Sequence, residues 1–322
     1  MFESKESIRL EINGSSVNFF MIADQGGSPN PPFYTPITKY VSNLMAELST
    51  SHNTHFQFAL GDNFYDDGVT SVNDTRFKDT FEDIYNSSNL VNTPWFFCLG
   101  NHDYGKRKKG NPLAQIDYTY LSKRWILPSF LYDIEIFLNS ELLIKAVVID
   151  TQKICIVGTE DDKQDYLENV IKKIEESSKT SAHYFMVMGH YHVWSIGKRG
   201  PNECMFEKLR PIFHKYDVDG YFCGHEHSME HFTDTFFNKT VEYVVSGTGA
   251  KVRDKIMNRD KVSSDKIKFF WETNEEHFDD CEKCSGALVL AQADRNKMTF
   301  KMIDTNRTEI YGFEIKSRKS RK

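Results

Sequence analysis

Seven side chains of metal-coordinating type are spread through the 322-residue chain. They comprise two carboxylates, a phenol, an amide and three imidazoles, which are groups that transition metals bind in proteins. They are Asp24, Asp62, Tyr65, Asn101, His190, His225 and His227. Seven ligands are too many for one ion, but with one shared carboxylate they suit two ions about 3.5 to 4 Å apart, as in two-metal hydrolases. The set therefore predicts a two-metal site suited to hydrolysis.

The residues next to these ligands also suit a metal site. A glycine directly precedes four of them, at Gly61, Gly100, Gly189 and Gly224. Glycine tolerates positive φ and lets the backbone approach a site closely. His225 and His227 are two residues apart, so an extended local chain would project both imidazoles to one side, one for each metal, with Glu226 pointing away.

The segments that must position these ligands have the pattern of short buried strands. Five runs rich in apolar and aromatic residues end directly at Gly, Asp, Asn or His, and cover residues 17–23, 55–60, 95–99, 184–188 and 220–223. Helix-like periodicity occurs at residues 38–48, 75–85, 163–176 and 203–215. Alternating strands and helices predict an α/β fold whose strand ends gather at one edge, where ligands bind. Later strand-like runs at 241–245, 285–292 and 298–303 predict antiparallel closing strands.

Composition narrows the class of protein. The chain is 39% hydrophobic and 14% aromatic, which is enough for a large core, and no run approaches the roughly 18 apolar residues of a membrane helix. The formal net charge of -6 argues against general attraction to nucleic acid. We expect an N-terminal extension over residues 1–16, one domain over 17–315, and a solvated basic tail over 316–322. Charges in the first residues leave no visible export signal.

Cysteines and glycosylation motifs give weaker signals. Cys98 and Cys223 lie in strand-like runs and are expected to be buried thiols. Cys281 and Cys284 form a CxxC pair without a second ligand pair, which favours a loop over a zinc site. Asn-x-Ser/Thr motifs at Asn13, Asn73, Asn86, Asn238 and Asn306 would matter only in an exported glycoprotein.

As an ordered set, the motifs resemble those of the metallophosphoesterase superfamily. After Asp24 come GDNFY, GNHD, GHYHVWS and GHEH, and Tyr65 within GDNFY narrows the resemblance to the purple acid phosphatases, particularly the small tartrate-resistant animal type. The likeness covers most of residues 17–305. It implies a four-layer α/β/β/α sandwich of two mixed sheets flanked by helices.

The resemblance also implies a role for each ligand. Asp24, Tyr65 and His227 would bind the first metal. Asn101, His190 and His225 would bind the second, with Asp62 bridging the pair. A phenol binds as phenolate near neutral pH only to a strong Lewis acid, so the first ion is expected to be Fe(III). The second would be divalent Fe, Zn or Mn.

The activity implied is acid phosphatase, with a metal-bound hydroxide attacking a phosphate monoester. His102 would contact the phosphate and assist the leaving group. Arg199 stands where the small enzymes carry a second active-site histidine, and we expect it to clamp the substrate. Small esters or phosphoproteins are the expected substrates, and the basic residues 106–109 favour the latter if they border the site.

Further implications concern the setting of the protein. The small enzymes have a disulfide where Cys155 and Cys204 stand, which implies secretion or a lysosome-like or vacuolar compartment. A monomer is expected. The chain departs from the usual family pattern at Gln25 and His192, neither of which supplies a ligand. Two alternatives stay open: a catalytically silent scaffold or binding protein of the same fold, and a phosphodiesterase that uses the same metals.

Overall fold

The computed structural model describes residues 7–105, 109–273 and 285–321. Most of the basic run 106–109 and both cysteines of the CxxC pair, Cys281 and Cys284, therefore lie outside the described residues. No helix in the part of the chain that the structure describes is both long and apolar enough to cross a membrane.

The described residues form fifteen strands and six α-helices. In chain order the strands are β1 (Ile8–Ile12), β2 (Val17–Ile22), β3 (Phe56–Leu60), β4 (Trp95–Cys98), β5 (Trp125–Ile126), β6 (Leu131–Leu138), β7 (Glu141–Ile149), β8 (Tyr184–Met188), β9 (Gly220–Cys223), β10 (Met229–Phe236), β11 (Lys239–Ser246), β12 (Ile267–Phe270), β13 (Ala287–Ala293), β14 (Lys297–Asp304) and β15 (Glu309–Lys316). The helices are α1 (Pro36–His52), α2 (Pro112–Tyr118), α3 (Thr151–Cys155), α4 (Glu160–Ser178), α5 (Glu203–Lys208) and α6 (Arg210–Lys215).

The strands form two mixed sheets. The first sheet has the order β1-β6-β7-β8-β9-β11-β10-β12, and the second has the order β15-β14-β13-β2-β3-β4-β5. Strands β2, β3 and β4 run parallel to one another in the second sheet, as do β7, β8 and β9 in the first. The five strands that carry ligand motifs are thus central strands of the two sheets.

Helices cover the outer faces of the two sheets. Alternate residues of a strand point to opposite sides of its sheet, so each sheet packs on both faces. Ala146 and Val148 of β7 pack into the core between the sheets, whereas Val147 and Ile149 pack with Leu167 and other residues of the helical layer. On the other side, α1 packs its apolar face onto the second sheet. The predicted four-layer α/β/β/α sandwich is confirmed.

The five predicted motif strands are confirmed within one residue at each end, but two predicted helices differ. The segment predicted as a helix over 75–85 is a π-helix at Phe77–Glu82. The helix predicted over 203–215 divides at Leu209 into α5 and α6. Pro211 lies in the first turn of α6, and because proline lacks a backbone N–H and its ring clashes with the preceding turn, it cannot continue α5.

Two regions contain structure that the sequence pattern did not predict. Strands β6 and β7 form a hairpin whose turn residues, Asn139 and Ser140, both have positive φ. Strand β1 lies within the expected N-terminal extension and pairs in parallel with β6. The basic tail is exposed at Lys316, Lys319 and Arg321, and it also contacts the fold, since Arg321 Nη1 donates to Asp219 Oδ1 at 2.8 Å.

Candidate metal centre

All seven predicted ligands meet at the carboxyl ends of the central strands, on the seam between the two sheets. Asp24, Asp62 and Asn101 follow β2, β3 and β4 of the second sheet. His190 and His225 follow β8 and β9 of the first. Two overlapping groups of potential metal ligands result, one of Asp24, Asp62 and His227 and one of Asp62, His190 and His225, in each of which the ligand atoms lie within 4.8 Å of one another. Asp62 is the member that both groups share.

Asp24, Tyr65 and His227 form what we call the first half-site. The Tyr65 hydroxyl donates to Asp24 Oδ1 at 2.9 Å and lies 3.2 Å from His227 Nε2. His227 Nε2 is 3.4 Å from Asp24 Oδ1. Each of the three side chains is buried.

Asn101, His190 and His225 form the second half-site beside Asp62. His190 Nε2 lies 3.3 Å from both Asn101 Oδ1 and Asp62 Oδ1. The other ring nitrogen of His190, Nδ1, donates to Leu60 O at 2.8 Å, which leaves Nε2 free to act as a ligand. The His225 ring centroid is 5.2 Å from that of His190.

The donor atoms fit metal ions by spacing and by chemistry. Neighbouring ligands on an octahedral ion with bonds of about 2.1 Å lie about 3 Å apart, close to the separations within each half-site. The Nδ1 nitrogen of His225 is buried and has no hydrogen-bond partner among the described residues, which is unusual in a folded protein. Carboxylate, phenol, amide and imidazole together favour transition metals over Mg²⁺ or Ca²⁺.

The backbone is held in an uncommon conformation at three of the predicted ligands. Asp24, Asp62 and His225 have φ values of 59°, 55° and 72°. Positive φ is uncommon in residues with a β-carbon, and such residues cluster at functional sites. The extended conformation predicted for residues 225–227 is therefore wrong, and both imidazoles reach the site through a left-handed turn at His225. Glu226 is fully buried, and its Oε2 accepts the backbone N–H of Arg199 at 2.6 Å.

The glycines before the ligands serve mainly close packing. A β-carbon on Gly100 would lie 2.3 Å from Asp62 Oδ1, and one on Gly224 would lie 2.4 Å from Asp24 Oδ2. Neither of these glycines has positive φ, whereas Gly61 does, at 92°. Because these positions carry no side chain, two ligand loops of the second sheet can approach each other at Gly100, and loops of the two sheets can approach each other at Gly224.

Burial and neighbouring charges have opposing effects on the pKa values of Asp62 and His190 in this cluster. Burial disfavours the Asp62 carboxylate, but the charges of His190 and His102 hold its pKa below the usual value. Burial would lower the pKa of His190, but the negative charge of Asp62 raises it to about 9. Burial lowers the pKa of His225, whereas burial and the charge of Asp24 raise that of Tyr65. Within the chain alone, the neighbouring imidazoles thus favour the ionised form of Asp62.

A supporting layer holds the ligand loops, and the sequence analysis missed it. Asp103 accepts the N–H groups of Gly100 at 2.7 Å and Asn63 at 3.0 Å, and burial together with the charge of Asp62 raises its pKa to about 7. Arg76 donates to the Tyr65 carbonyl and, at 3.0 Å, to the Gly26 carbonyl. Asp103 was recognisable as the last residue of the GNHD motif, whereas nothing local distinguishes Arg76 from a surface arginine.

The two predicted catalytic residues border the ligands. His102 donates its backbone N–H to Asp62 Oδ1 at 2.8 Å, and its Nδ1 donates to Asp66 O at 2.7 Å. Its Nε2 is 3.9 Å from Asp62 Oδ2. Arg199 is exposed, and its Nε donates to the His225 carbonyl at 3.0 Å.

A pocket of about 350 Å³ opens beside Arg199 and His225. The disulfide expected between Cys155 and Cys204 is present, with Cα atoms 6.0 Å apart, and both cysteines line this pocket.

Of the two departures from the family pattern, Gln25 donates to Asn63 at 2.8 Å, and His192 Nε2 donates to Gly200 O at 2.9 Å. Both residues support loops of the site.

Comparison with known proteins agrees with this geometry. The family model described as "Calcineurin-like phosphoesterase" matches residues 37–229. The chain is 32% identical over 266 residues to "Tartrate-resistant acid phosphatase type 5" of Oryctolagus cuniculus, covering 80% of each protein. It is 30% identical over 260 residues to "Purple acid phosphatase 3" of Arabidopsis thaliana, covering 77% of this chain and 67% of that protein.

Among solved structures, the chain is similar to "GAP50 the anchor in the inner membrane complex of Plasmodium". The TM-score is 0.74 at 20% identity, and the match covers 95% of this chain and 90% of that one. At this level of identity the likeness shows a shared fold. The sequence matches go further, and they show that the protein belongs to the calcineurin-like phosphoesterase family of hydrolases, among relatives that are named tartrate-resistant and purple acid phosphatases.

Proposed function

We propose that the protein is an acid phosphatase that hydrolyses phosphate monoesters at a dinuclear Fe(III)–M(II) centre, where M is Fe, Zn or Mn. The observation that carries this proposal is the position of Asp62, whose carboxylate belongs to both groups of potential ligands. Asp24, Tyr65 and His227 hold the first ion in this proposal, and Asn101, His190 and His225 hold the second. The named activity of the relatives supports the same reaction.

The surroundings of Tyr65 support Fe(III) as the first ion. Burial and neighbouring carboxylates make its phenol hard to ionise, so only a strong Lewis acid would bind it as phenolate. Fe(III) meets that requirement better than Mg²⁺ or Zn²⁺. The bound pair supplies positive charge for the phosphate and acidity for the attacking water.

The positions of His102 and Arg199 support the roles proposed for them. His102 is fixed beside Asp62 by its backbone N–H and by its Nδ1 contact with Asp66, so its Nε2 side is turned toward the site for contact with the phosphate.

Arg199 borders His225 from the solvent side and binds substrate through its guanidinium. We expect Arg199→Ala to raise KM about tenfold, because charge-assisted hydrogen bonds are lost. A large fall in kcat at unchanged KM would contradict that role.

The setting of the protein belongs to the same proposal. The Cys155–Cys204 disulfide supports a secreted or lysosome-like location, because such bonds persist in oxidising compartments. Phosphate esters, either small molecules or phosphoproteins, are the proposed substrates of a monomer. Mass measurement of protein from its native source, with and without reduction, tests both the disulfide and the oligomeric state.

One experiment separates the phosphatase from both alternatives. The holoprotein is assayed with nitrophenyl phosphate and bis(nitrophenyl) phosphate while its metal content and visible spectrum are recorded. Faster turnover of the monoester, with two metals per chain and a phenolate-to-Fe(III) band, supports the proposal. Preference for the diester supports a phosphodiesterase. Metal-loaded protein without turnover of either ester supports the scaffold, a role in keeping with the word "anchor" in the name of the structural neighbour.

A further inference from the structure

The hairpin of β10 and β11 ends in a tight turn that contains an unusual residue. Phe236 pairs with Lys239, so the turn consists of Phe237 and Asn238, whose φ values are 50° and 57°. Two-residue turns with positive φ at both positions favour pairs such as Asn-Gly, because most side chains are strained there. A phenylalanine in this conformation is an outlier, which motivates a search for a function of its side chain.

Phe237 is also exposed. Among the large apolar side chains of the described residues it has the highest exposed fraction, 73%. Its ring packs on one side against Phe236, with centroids 4.0 Å apart. Phe236 in turn contacts Arg210, whose guanidinium carbon lies 4.6 Å from its ring centroid. The Phe237 ring is therefore supported from one side and leaves apolar area in water that another group can cover.

The residue that follows Phe237 can carry such a group. Asn238 and Thr240 belong to an Asn-x-Thr motif, the acceptor for N-linked glycosylation in exported proteins, and both residues are exposed. Asn86 of another motif also follows an aromatic residue, but that residue, Tyr85, is buried. The hairpin thus combines an accessible acceptor asparagine with an exposed ring beside it.

We propose that Asn238 is a glycosylation site whose first sugar, N-acetylglucosamine, packs on the ring of Phe237. The inference goes beyond the proposed phosphatase function and rests on the proposed secretory location. The amide nitrogen of Asn238 forms a bond to the anomeric carbon of a lipid-linked oligosaccharide diphosphate, and the bond from that carbon to the diphosphate oxygen breaks. The lipid diphosphate leaves with the electron pair, and the amide proton passes to a base of the transferring enzyme.

The chemistry of the two groups favours this contact. One face of a pyranose ring presents C–H groups with a small positive charge, whereas the face of an aromatic ring is negative. Stacking the two faces also removes apolar area from water. Because the sugar is attached one residue away from Phe237, little chain entropy is lost when the contact forms.

The turn lies far from the metal ligands. Strand β10 has 8 residues, so at about 3.4 Å per residue its two ends are about 24 Å apart. Its first residue, Met229, comes two positions after His227, and its last residue, Phe236, borders the turn. A glycan on Asn238 would therefore leave the ligand end of the hairpin open, and we expect it to change stability without changing kcat or KM.

The first test measures whether Asn238 is modified. Peptide mass spectrometry of the full chain from its native source, with glycans released enzymatically in heavy-oxygen water, should find Asn238 modified in most chains. Variants are then produced through a eukaryotic secretory pathway. Thr240→Ala removes the motif and should abolish the modification. Thr235→Ala is the matched control, because the two threonine hydroxyls share one hydrogen bond at 2.9 Å and either variant breaks it, but only Thr240→Ala removes the motif.

Melting temperatures test the contact with Phe237. An endoglycosidase that leaves only the first N-acetylglucosamine is applied to all variants, and trimmed Thr235→Ala should then melt about 2 °C above Thr240→Ala. The difference should vanish when both variants also carry Phe237→Ala, and it should persist with Phe237→Tyr, which keeps the ring. An unmodified Asn238 in the native protein, or a difference that Phe237→Ala does not change, would overturn the inference. Phosphatase activity is not a readout, so loss of the proposed function would leave this result unaffected.

Discussion

Two buried clusters in this protein combine aspartate with histidine, but they balance their charge differently. Asp234 is fully buried and contacts Arg210 Nε and Lys266 Nζ, each at 2.5 Å, and His214 Nε2 at 3.2 Å. We call this the Asp234 cluster. Asp62, equally buried, has only imidazoles as ion-pair partners within the described residues.

The difference teaches how to tell a structural ion cluster from a metal centre. A buried carboxylate needs compensating charge and hydrogen bonds. The Asp234 cluster contains two permanent cations, Arg210 and Lys266, so side chains of the protein itself balance its charge. The candidate metal centre brings carboxylates, a phenol and an amide together, and no described arginine or lysine forms an ion pair with Asp24 or Asp62. In our proposal the bound metal ions supply the missing positive charge.

The first and largest expected effect is on activity. Asp62→Asn removes the charge shared by the two half-sites, and we expect kcat to fall about 1,000-fold or more, equivalent to roughly 4 kcal/mol. Metal content, measured by elemental analysis, should fall with it. The metal-free variant should unfold at the same temperature as metal-free wild type or higher, because no permanent cation loses its partner. A clear fall in that temperature would contradict the contrast with Asp234.

The second effect is on stability. Asp234→Ala leaves Arg210 and Lys266 without their shared carboxylate, and we expect unfolding free energy to fall by about 3 kcal/mol. Urea unfolding followed by fluorescence measures the change, and metal content per folded chain should stay at the wild-type value. Glu47→Ala is the control, because it breaks an exposed pair with Arg307 and should leave the unfolding midpoint unchanged.

A third variant separates the two half-sites. Tyr65→Phe removes the phenol, so the visible absorption from phenolate bound to Fe(III) should disappear while the second half-site keeps its donors. We expect the band to be lost completely and the content of divalent metal to fall less than that of iron. A coloured Tyr65→Phe protein would show that another group gives the absorption.

The smallest effect concerns pH. The contacts of Asp234 with His214, Arg210 and Lys266 overcome the opposing effect of burial and lower the pKa of that carboxyl below its unfolded value. Its stabilising contribution is therefore complete above the unfolded pKa of about 4 and is lost as pH falls toward the lower folded pKa. The difference in unfolding free energy between wild type and Asp234→Ala should shrink below about pH 4 and stay constant from pH 5 to 7. A difference that grows on acidification would contradict this assignment.

Much of the fold was predictable because the strands that carry the predicted ligands have a clear local sequence pattern. Buried strands such as β3 and β8 are continuous apolar runs that end at a glycine and a polar ligand, and the structure confirms them. The hairpin of β6 and β7 was not predicted because the strand signal consists of polar residues at strand ends, and this hairpin carries none of the predicted ligands. Its turn at Asn139 was a usable signal, since asparagine tolerates positive φ.

The parts of the site that could not be predicted depend on contacts distant in sequence. Tyr65 and His227 meet across 162 residues, and only the ordered set of motifs indicated that they would. Arg76 gave no local signal, because its role depends on backbone carbonyls that the fold brings near. Similarly, the acidic residues that hold the basic tail, such as Asp219, are about 100 residues away from it.

The placement of the ligands on both sheets has a mechanical consequence. Asp24 and Asn101 belong to loops of one sheet, and His190 and His225 belong to loops of the other. Metal ions bound between these loops would therefore cross-link the two sheets at that edge. Since binding to the native state alone raises its stability with ligand concentration, the melting temperature should climb with the logarithm of free metal.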